Sequence, residues 1–238
     1  MALIFAGGVG IRMNSLSKPK QFLELHGKPI ILHTIEHFER HESIDAICVV
    51  CVANWIGELK FLLQRYCVNK VRLIAEGGNS PQESVYRGLR MMKESGMSEK
   101  NPIMLVHDGV RPLIDERTIS DNIRAVKEYG SAITMSGVSE TIARIDGGGI
   151  ITDISDRSSL IIARAPQSFF FEDLLKAHER ARSDSLDFID SATLMFHYGF
   201  PLHAVQGPVQ NVKITTAMDY YIFRALYEAW ENSQIFGI

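Results

Sequence analysis

Ala2-Leu3-Ile4-Phe5-Ala6-Gly7-Gly8-Val9-Gly10-Ile11-Arg12-Met13 opens the chain, and the reading of this stretch decides the fold. Five apolar residues with almost nothing before them read as a strand buried inside a sheet. Glycines directly after such a strand let the backbone turn sharply and bring N–H groups against a ligand. Arg12 and, a little later, Lys20 set two cations beside those donors, a combination that suits a polyphosphate. Two common nucleotide loops do not fit. The G-x-G-x-x-G fingerprint lacks its third glycine, where Met13 stands, and no Gly-Lys-Ser/Thr follows to make a P-loop.

Outward from this strand, apolar runs alternate with helical patterns. The spacing predicts helices over 30–42, 55–66, 83–93 (beginning near Ser84) and 118–128, and strands over 45–52, 71–75, 102–107 and from 132. Such alternation predicts an α/β fold with a mostly parallel, Rossmann-like sheet flanked by helices on both faces. Ligands then bind at the carboxyl ends of the strands, near a switch in strand order. Those ends carry Gly7–Arg12, Gly77–Ser84, His107–Pro112 and the stretch after Gly137. Between residues 138 and 166 the rhythm changes. A β-hairpin turning at Gly147-Gly148-Gly149 is followed by an Arg-bearing strand over 160–164, so residues 139–164 read as a projecting arm. The arm is either a surface excursion or a segment exchanged with a second subunit. Helices over 171–182, 191–198 and 217–231 and a strand over 202–205 complete the chain. No repeat or linker divides residues 1–238, which read as a single domain.

Composition narrows the classes. The chain has 238 residues, 46% hydrophobic, with a formal net charge of −3, so it has a core's worth of apolar residues and no overall basic field to hold nucleic acid. No apolar run reaches the length of a membrane span, and the first residues lack a signal peptide's basic flank, so the expected compartment is the cytoplasm. Cys48 and Cys51 form a C-x-x-C, but within Ile47–Val52 they read as small apolar residues of a buried strand. His33, His37 and His41 recur every four residues and read as a surface stripe of one helix, since no H-E-x-x-H accompanies them.

The pattern Ala6-Gly7-Gly8-x-Gly10-x-Arg12-Met13, followed by Pro19-Lys20-Gln21-Phe22-Leu23 and Gly27-Lys28-Pro29-Ile30, resembles the N-terminal signature of sugar-nucleotide pyrophosphorylases and related nucleotidyltransferases. The Pro19–Leu23 form is similar to that of the cytidylyltransferase branch, which includes the methylerythritol-phosphate and ribitol-phosphate enzymes. Further stretches carry the resemblance on. Gly77-Gly78-Asn79-Ser80-Pro81-Gln82-Glu83-Ser84-Val85 resembles G-G-x-x-R-x-x-S-V, His107-Asp108-Gly109-Val110-Arg111-Pro112 resembles H-D-A-x-R-P, and Asn211-Val212-Lys213-Ile214-Thr215 resembles N-x-K-[IV]-T. Val110, Ala6-Gly7-Gly8, Phe22 and Pro166-Gln167-Ser168-Phe169 lean toward the ribitol-phosphate form.

The resemblance implies the nucleotide-diphospho-sugar transferase fold and the transfer of CMP from CTP to a sugar-alcohol phosphate with release of pyrophosphate. D-ribitol 5-phosphate is the favoured acceptor and methylerythritol 4-phosphate the alternative. It implies a nucleotide site of Ala6, Gly7, Gly8, Gly10, Arg12, Lys20, Asn79 and Ser84, and Arg12, Lys20 and Lys213 as catalytic cations. It implies an acceptor site of Asp108, Arg111, Thr141, Arg157, Asp190 and Lys213, with Asp108 as a ligand of the Mg²⁺ cofactor. It further implies a homodimer in which Arg157 of the arm reaches the other subunit's site. The structural alternative makes Ser84 a helix cap and Asp108–Arg111 a structural ion pair. Three positions depart from the pattern: Pro81 stands in place of arginine, and Ala165 and Ile189 in place of threonine. A nucleotide-binding paralogue without turnover is therefore the reading of another class.

Overall fold

The computed structural model describes residues 1–7 and 18–236. Its sheet begins with β1 (Ala2–Ala6), and a small hairpin follows from β2 (Glu24–Leu25) and β3 (Lys28–Pro29). Then come α1 (Ile30–Arg40), β4 (Ile47–Cys51), α2 (Ile56–Arg65), β5 (Val71–Glu76), α3 (Pro81–Glu94), β6 (Ile103–Asp108), α4 (Glu116–Tyr129) and β7 (Ser131–Gly137). The hairpin β8 (Ala143–Ile145) and β9 (Ile151–Ile154) leads to β10 (Ile161–Phe170), α5 (Phe171–Ser183), α6 (Ser191–His197), β11 (Ala204–Gln206) and α7 (Ala217–Phe236). Seven strands form one sheet in the order β11-β7-β10-β6-β1-β4-β5. All neighbours in it are parallel except β10, which runs antiparallel to β6 and β7.

Side chains of a strand alternate between faces, and this period divides the core in two. Leu3, Cys48, Val50, Met104 and Val106 point to one side, where α3 brings Val85 and Leu89 and α5 brings Leu174 and Leu175. Ala2, Ile4, Ile47, Val49 and Leu105 point to the other, under Ile31, Leu32, Ile35 and Phe38 of α1 and Leu59, Leu62 and Leu63 of α2. Each fully buried Leu or Ile of this kind stabilises the fold by about 1.5–3 kcal/mol. Caps fix the helix starts: the Ser80 side chain accepts from Glu83 N ahead of Pro81, and the Asp115 side chain accepts from Thr118 N. Cys48 and Cys51 lie in β4 with their thiols pushed up by burial to about 12 and about 11, as befits apolar residues.

Three expectations change. The helix expected from residue 83 begins at Pro81, because Ser80 supplies the cap and Pro81 favours the first helical position. The strand expected over 160–164 runs on to Phe170 and enters the main sheet, where Gln167–Phe170 pair with Val106–Ile103. The histidines of α1 do not form a surface stripe. His33 and His41 are buried, and His33 meets the rings of Phe223 and Tyr227 edge-on at 5.7 and 5.0 Å. His37 hydrogen-bonds Pro112 O at 3.0 Å, and His41 hydrogen-bonds Ser120 Oγ at 2.9 Å. They do share a helix face, but segments far along the chain cover it.

Candidate active site

The carboxyl ends of β1, β4 and β5 meet in a tight backbone junction. Gly77 N donates to Cys51 O at 2.8 Å, and Gly78 N donates to Ser84 Oγ at 3.0 Å. A Cβ on Gly7 would stand 2.9 Å from Ser84 Oγ, and one on Gly77 would stand 3.0 Å from Gly7 Cα. Only glycines allow this approach. Ser84 is not the cap of its helix: its hydroxyl donates to Ser80 O at 2.9 Å one turn inside α3. Asn79 is exposed beside it, its N–H held by Glu83 Oε2 at 2.7 Å. Ala6 closes the junction from below, since its carbonyl accepts from the Gln21 side chain at 2.6 Å. Gly8, Gly10 and Arg12 lie outside the described residues.

A second cluster stands where β6 ends. Asp108 is buried, and Arg111 Nε donates to its Oδ2 at 2.7 Å while Lys213 Nζ pairs with its Oδ1. Burial opposes its ionisation, but Lys213 and Arg111 outweigh that and hold the carboxyl down at about 2. Asp108 and Arg111 are thus a structural ion pair, and the pair also lines a cleft. Lys20 begins a short 3-10 turn, Lys20–Phe22, that Phe22 anchors in the core. Its Nζ donates to Ile214 O at 3.0 Å, across 194 positions of sequence, and so stands beside the Lys213 segment.

Asp108, Arg111 and Lys213 open onto a cleft of about 190 Å³ that Asp190 also lines. Asp190 enters it as the cap of α6: its Oδ1 accepts from Thr193 N at 2.8 Å and its Oδ2 accepts from Gln167 Nε2 at 3.0 Å. Thr141 and Arg157 are not among the lining residues. Both are exposed on the arm, where Arg157 Nη1 donates to Ser139 O at 3.3 Å. The cleft also holds Arg164, a cation to which the motifs assign no role. Arg164 Nε donates to Ser136 Oγ and its Nη1 to Asn211 O, both at 2.8 Å, and Arg111 Nη1 donates to the same carbonyl at 2.9 Å. Only the extension of β10 into the sheet turns Arg164 inward. Arg111, Arg164 and Lys213 share the cleft with two carboxylates, Asp108 and Asp190, so it keeps an excess positive charge and suits a phosphorylated ligand. Among the described residues no three His, Cys, Asp or Glu side chains gather as a metal cage. The carboxylates that line the cleft are Asp108, whose two oxygens are held by Arg111 and Lys213, and Asp190.

The family model described as IspD, 2-C-methyl-D-erythritol 4-phosphate cytidylyltransferase, matches residues 1–228. The chain belongs to the IspD cytidylyltransferase family. Membership makes it a CTP-dependent nucleotidyltransferase and explains the fold. A crystal structure of 4-diphosphocytidyl-2C-methyl-D-erythritol synthase from Anaerococcus prevotii superposes with a TM-score of 0.82 at 24% identity, covering 95% of each chain. A ribitol-5-phosphate cytidylyltransferase of Vibrio parahaemolyticus is 47% identical over 100% of this chain and 99% of its own length. One of Streptococcus agalactiae is 46% identical with the same coverage. Within an IspD-family site the three departures gain a location. Pro81, Ala165 and Ile189, which come from three separate elements, all line the one cleft.

Proposed function

We propose that this enzyme transfers the cytidylyl group of CTP to D-ribitol 5-phosphate, giving CDP-ribitol and pyrophosphate. The observation that carries the reading is the convergence of Lys213, Arg111 and Asp108 on one cleft, with Lys20 bonded to Ile214 O next to Lys213, in a chain 46–47% identical over its whole length to relatives that bear the ribitol name. A phosphate oxygen of the acceptor attacks the α-phosphorus, the bond to the bridging oxygen of the β-phosphate breaks, and the electron pair leaves with pyrophosphate. The attacking oxygen is already anionic, so alignment and charge stabilisation supply the acceleration and no general base is required. The glycine junction and Ser84 hold the nucleotide, with Asn79 at its rim. Lys20 and Lys213, joined by Arg12, offset charge on the α-phosphate. Mg²⁺, when bound, neutralises phosphate charge beside Asp108.

The same reading makes the enzyme a homodimer. Ile142, Ile145, Ile150, Ile151, Ile154, Ile161 and Ile162 of the arm expose 42–67% of their surface, an apolar patch that another copy of the arm region would cover. Arg157 and Thr141 would then serve the neighbour's acceptor phosphate. No described helix is long and apolar enough to cross a membrane. The reading places the enzyme in the cytoplasm, where it would activate an alditol for a wall or capsule polymer.

Ribitol 5-phosphate, methylerythritol 4-phosphate and other polyol phosphates, each supplied with CTP and Mg²⁺ and monitored for pyrophosphate, test the assignment. The highest kcat/KM with ribitol 5-phosphate is expected. A preference for methylerythritol 4-phosphate would move the chain to the other branch of its family, and CTP binding without pyrophosphate from any acceptor would mark a paralogue that no longer turns over.

A further inference from the structure

The acceptor cleft is polarised. One end holds Asp108, Arg111, Arg164 and Lys213. The rest of the lining includes the apolar Pro81, Val85, Ala165 and Ile189, with Asp190, Ser191 and His178 of α5 among them. His178 is 2% exposed, and both of its ring nitrogens lack a hydrogen-bond partner among the described residues. The ring is held in place by Tyr86, which stacks on it with centroids 6.3 Å apart. The wall around it is fixed by amide clamps. Gln82 donates to Leu186 O at 3.0 Å and accepts from Phe188 N at 2.6 Å, and Gln167 accepts from Ala192 N at 2.8 Å. These clamps occupy both amides, while the buried imidazole has nothing to bond among the described residues.

Buried polar atoms are paired in the great majority of proteins, and an unpaired one is costly. Burial pushes the His178 ring down to about 4, so at neutral pH it offers one donor and one acceptor. Whichever ring nitrogen faces a hydroxyl can bond it, as donor or as acceptor, whereas an ionised phosphate can only accept.

We propose that His178 is a specificity-determining residue for the acceptor, its ring hydrogen-bonding a hydroxyl of the alditol chain while the acceptor's phosphate lies at the cationic end of the cleft. The inference rests on the reading that the acceptor is a hydroxyl-bearing phosphate. It assigns the apolar positions 81, 165 and 189 a consequence: with those side chains unable to bond hydroxyls, the reading of the chain passes to His178.

His178→Leu and His178→Gln test it in the full-length enzyme, with kcat/KM measured for the preferred polyol phosphate and for glycerol 3-phosphate, which carries fewer hydroxyls. His178→Leu should lower kcat/KM for the longer acceptor about tenfold, leave KM for CTP within about twofold, and shrink the preference over glycerol 3-phosphate. His178→Gln, a neutral donor and acceptor, should recover much of that preference. Equal losses toward CTP and both acceptors, an unchanged preference in His178→Leu, or a Gln variant no better than Leu would overturn the proposal. If the Leu variant does not fold, His178→Phe keeps an aromatic ring against Tyr86 and is read against the same outcomes. Wild-type enzyme that favours methylerythritol 4-phosphate would overturn the acceptor's identity alone, and the variants are then read on that polyol.

Discussion

The glycine junction and the neighbouring cleft, which the proposed function makes the nucleotide and acceptor sides of one site, are built from different materials. At the first, backbone meets backbone: Gly7, Gly77 and the Ser84 hydroxyl lie so close that no side chain fits between them. At the second, side chains do the work. Asp108 joins two cations, Gln82 and Gln167 brace the 186–192 stretch, and Ala165 and Ile189 leave the wall apolar. Backbone geometry is insensitive to most substitutions, whereas a side-chain wall changes its ligand when one or two residues change. The contrast teaches why this family can keep one nucleotide chemistry while its members carry names for different acceptors.

The two lysines where the two sides meet should give the largest effect. Lys213→Ala removes a preorganised cation, and kcat should fall about 10²–10³-fold, roughly 3–4 kcal/mol, with CTP affinity changed much less. Lys20→Ala should behave alike. Steady-state kinetics beside calorimetric CTP binding would show it, and near-normal turnover in a folded variant would break the division of labour. Next comes the arm. Arg157→Ala and Lys20→Ala chains should each be nearly inactive alone. A heterodimer that exchanges arms has one site with both defects and one with neither, so about half of wild-type activity should return. Purified, stably associated heterodimers without recovery would place Arg157 in its own subunit's service.

The backbone junction predicts a smaller loss. Gly7→Ala sets a Cβ 2.9 Å from Ser84 Oγ and should weaken CTP binding about tenfold, or ~1.4 kcal/mol. Ser84→Ala in the same chain removes that contact, so the pair should bind CTP better than the sum of the single losses implies. Strict additivity would mean that the close approach is not what excludes a side chain. The smallest effect is on acid stability. His178, like His33, has its ring pushed down from 6.5 to about 4, chiefly by burial. The unfolded chain therefore takes up the proton first, and stability is lost as pH falls from about 6.5 toward 4. Replacing His178 with Gln should reduce the loss between pH 7 and pH 5 by on the order of 1 kcal/mol, read from denaturant midpoints at the two pH values. An unchanged difference would mean that the ring protonates freely in the fold.

The order of strands and helices was legible because each rests on a local rule. Ala2–Ala6 is a run of apolar residues ahead of glycines, Leu59, Leu62 and Leu63 recur at helical spacing, and Gly147–Gly149 mark a turn. Lys20, Asp108, Arg111 and Lys213 were legible as motif positions, and Gly7 as a glycine at a strand's end. What only the tertiary structure decided depends on neighbours distant in the chain. His33 looks solvated until Phe223 and Tyr227 cover it, and Arg164 looks like part of an arm until β10 pairs with β6 and β7. Pro81, Ala165, His178 and Ile189 become one wall only when α3, β10, α5 and the approach to α6 are brought together. Periodicity and capping act within a few residues and are written in the sequence, whereas burial and the facing of side chains into a common cleft arise from which elements pack together, and no single stretch contains them.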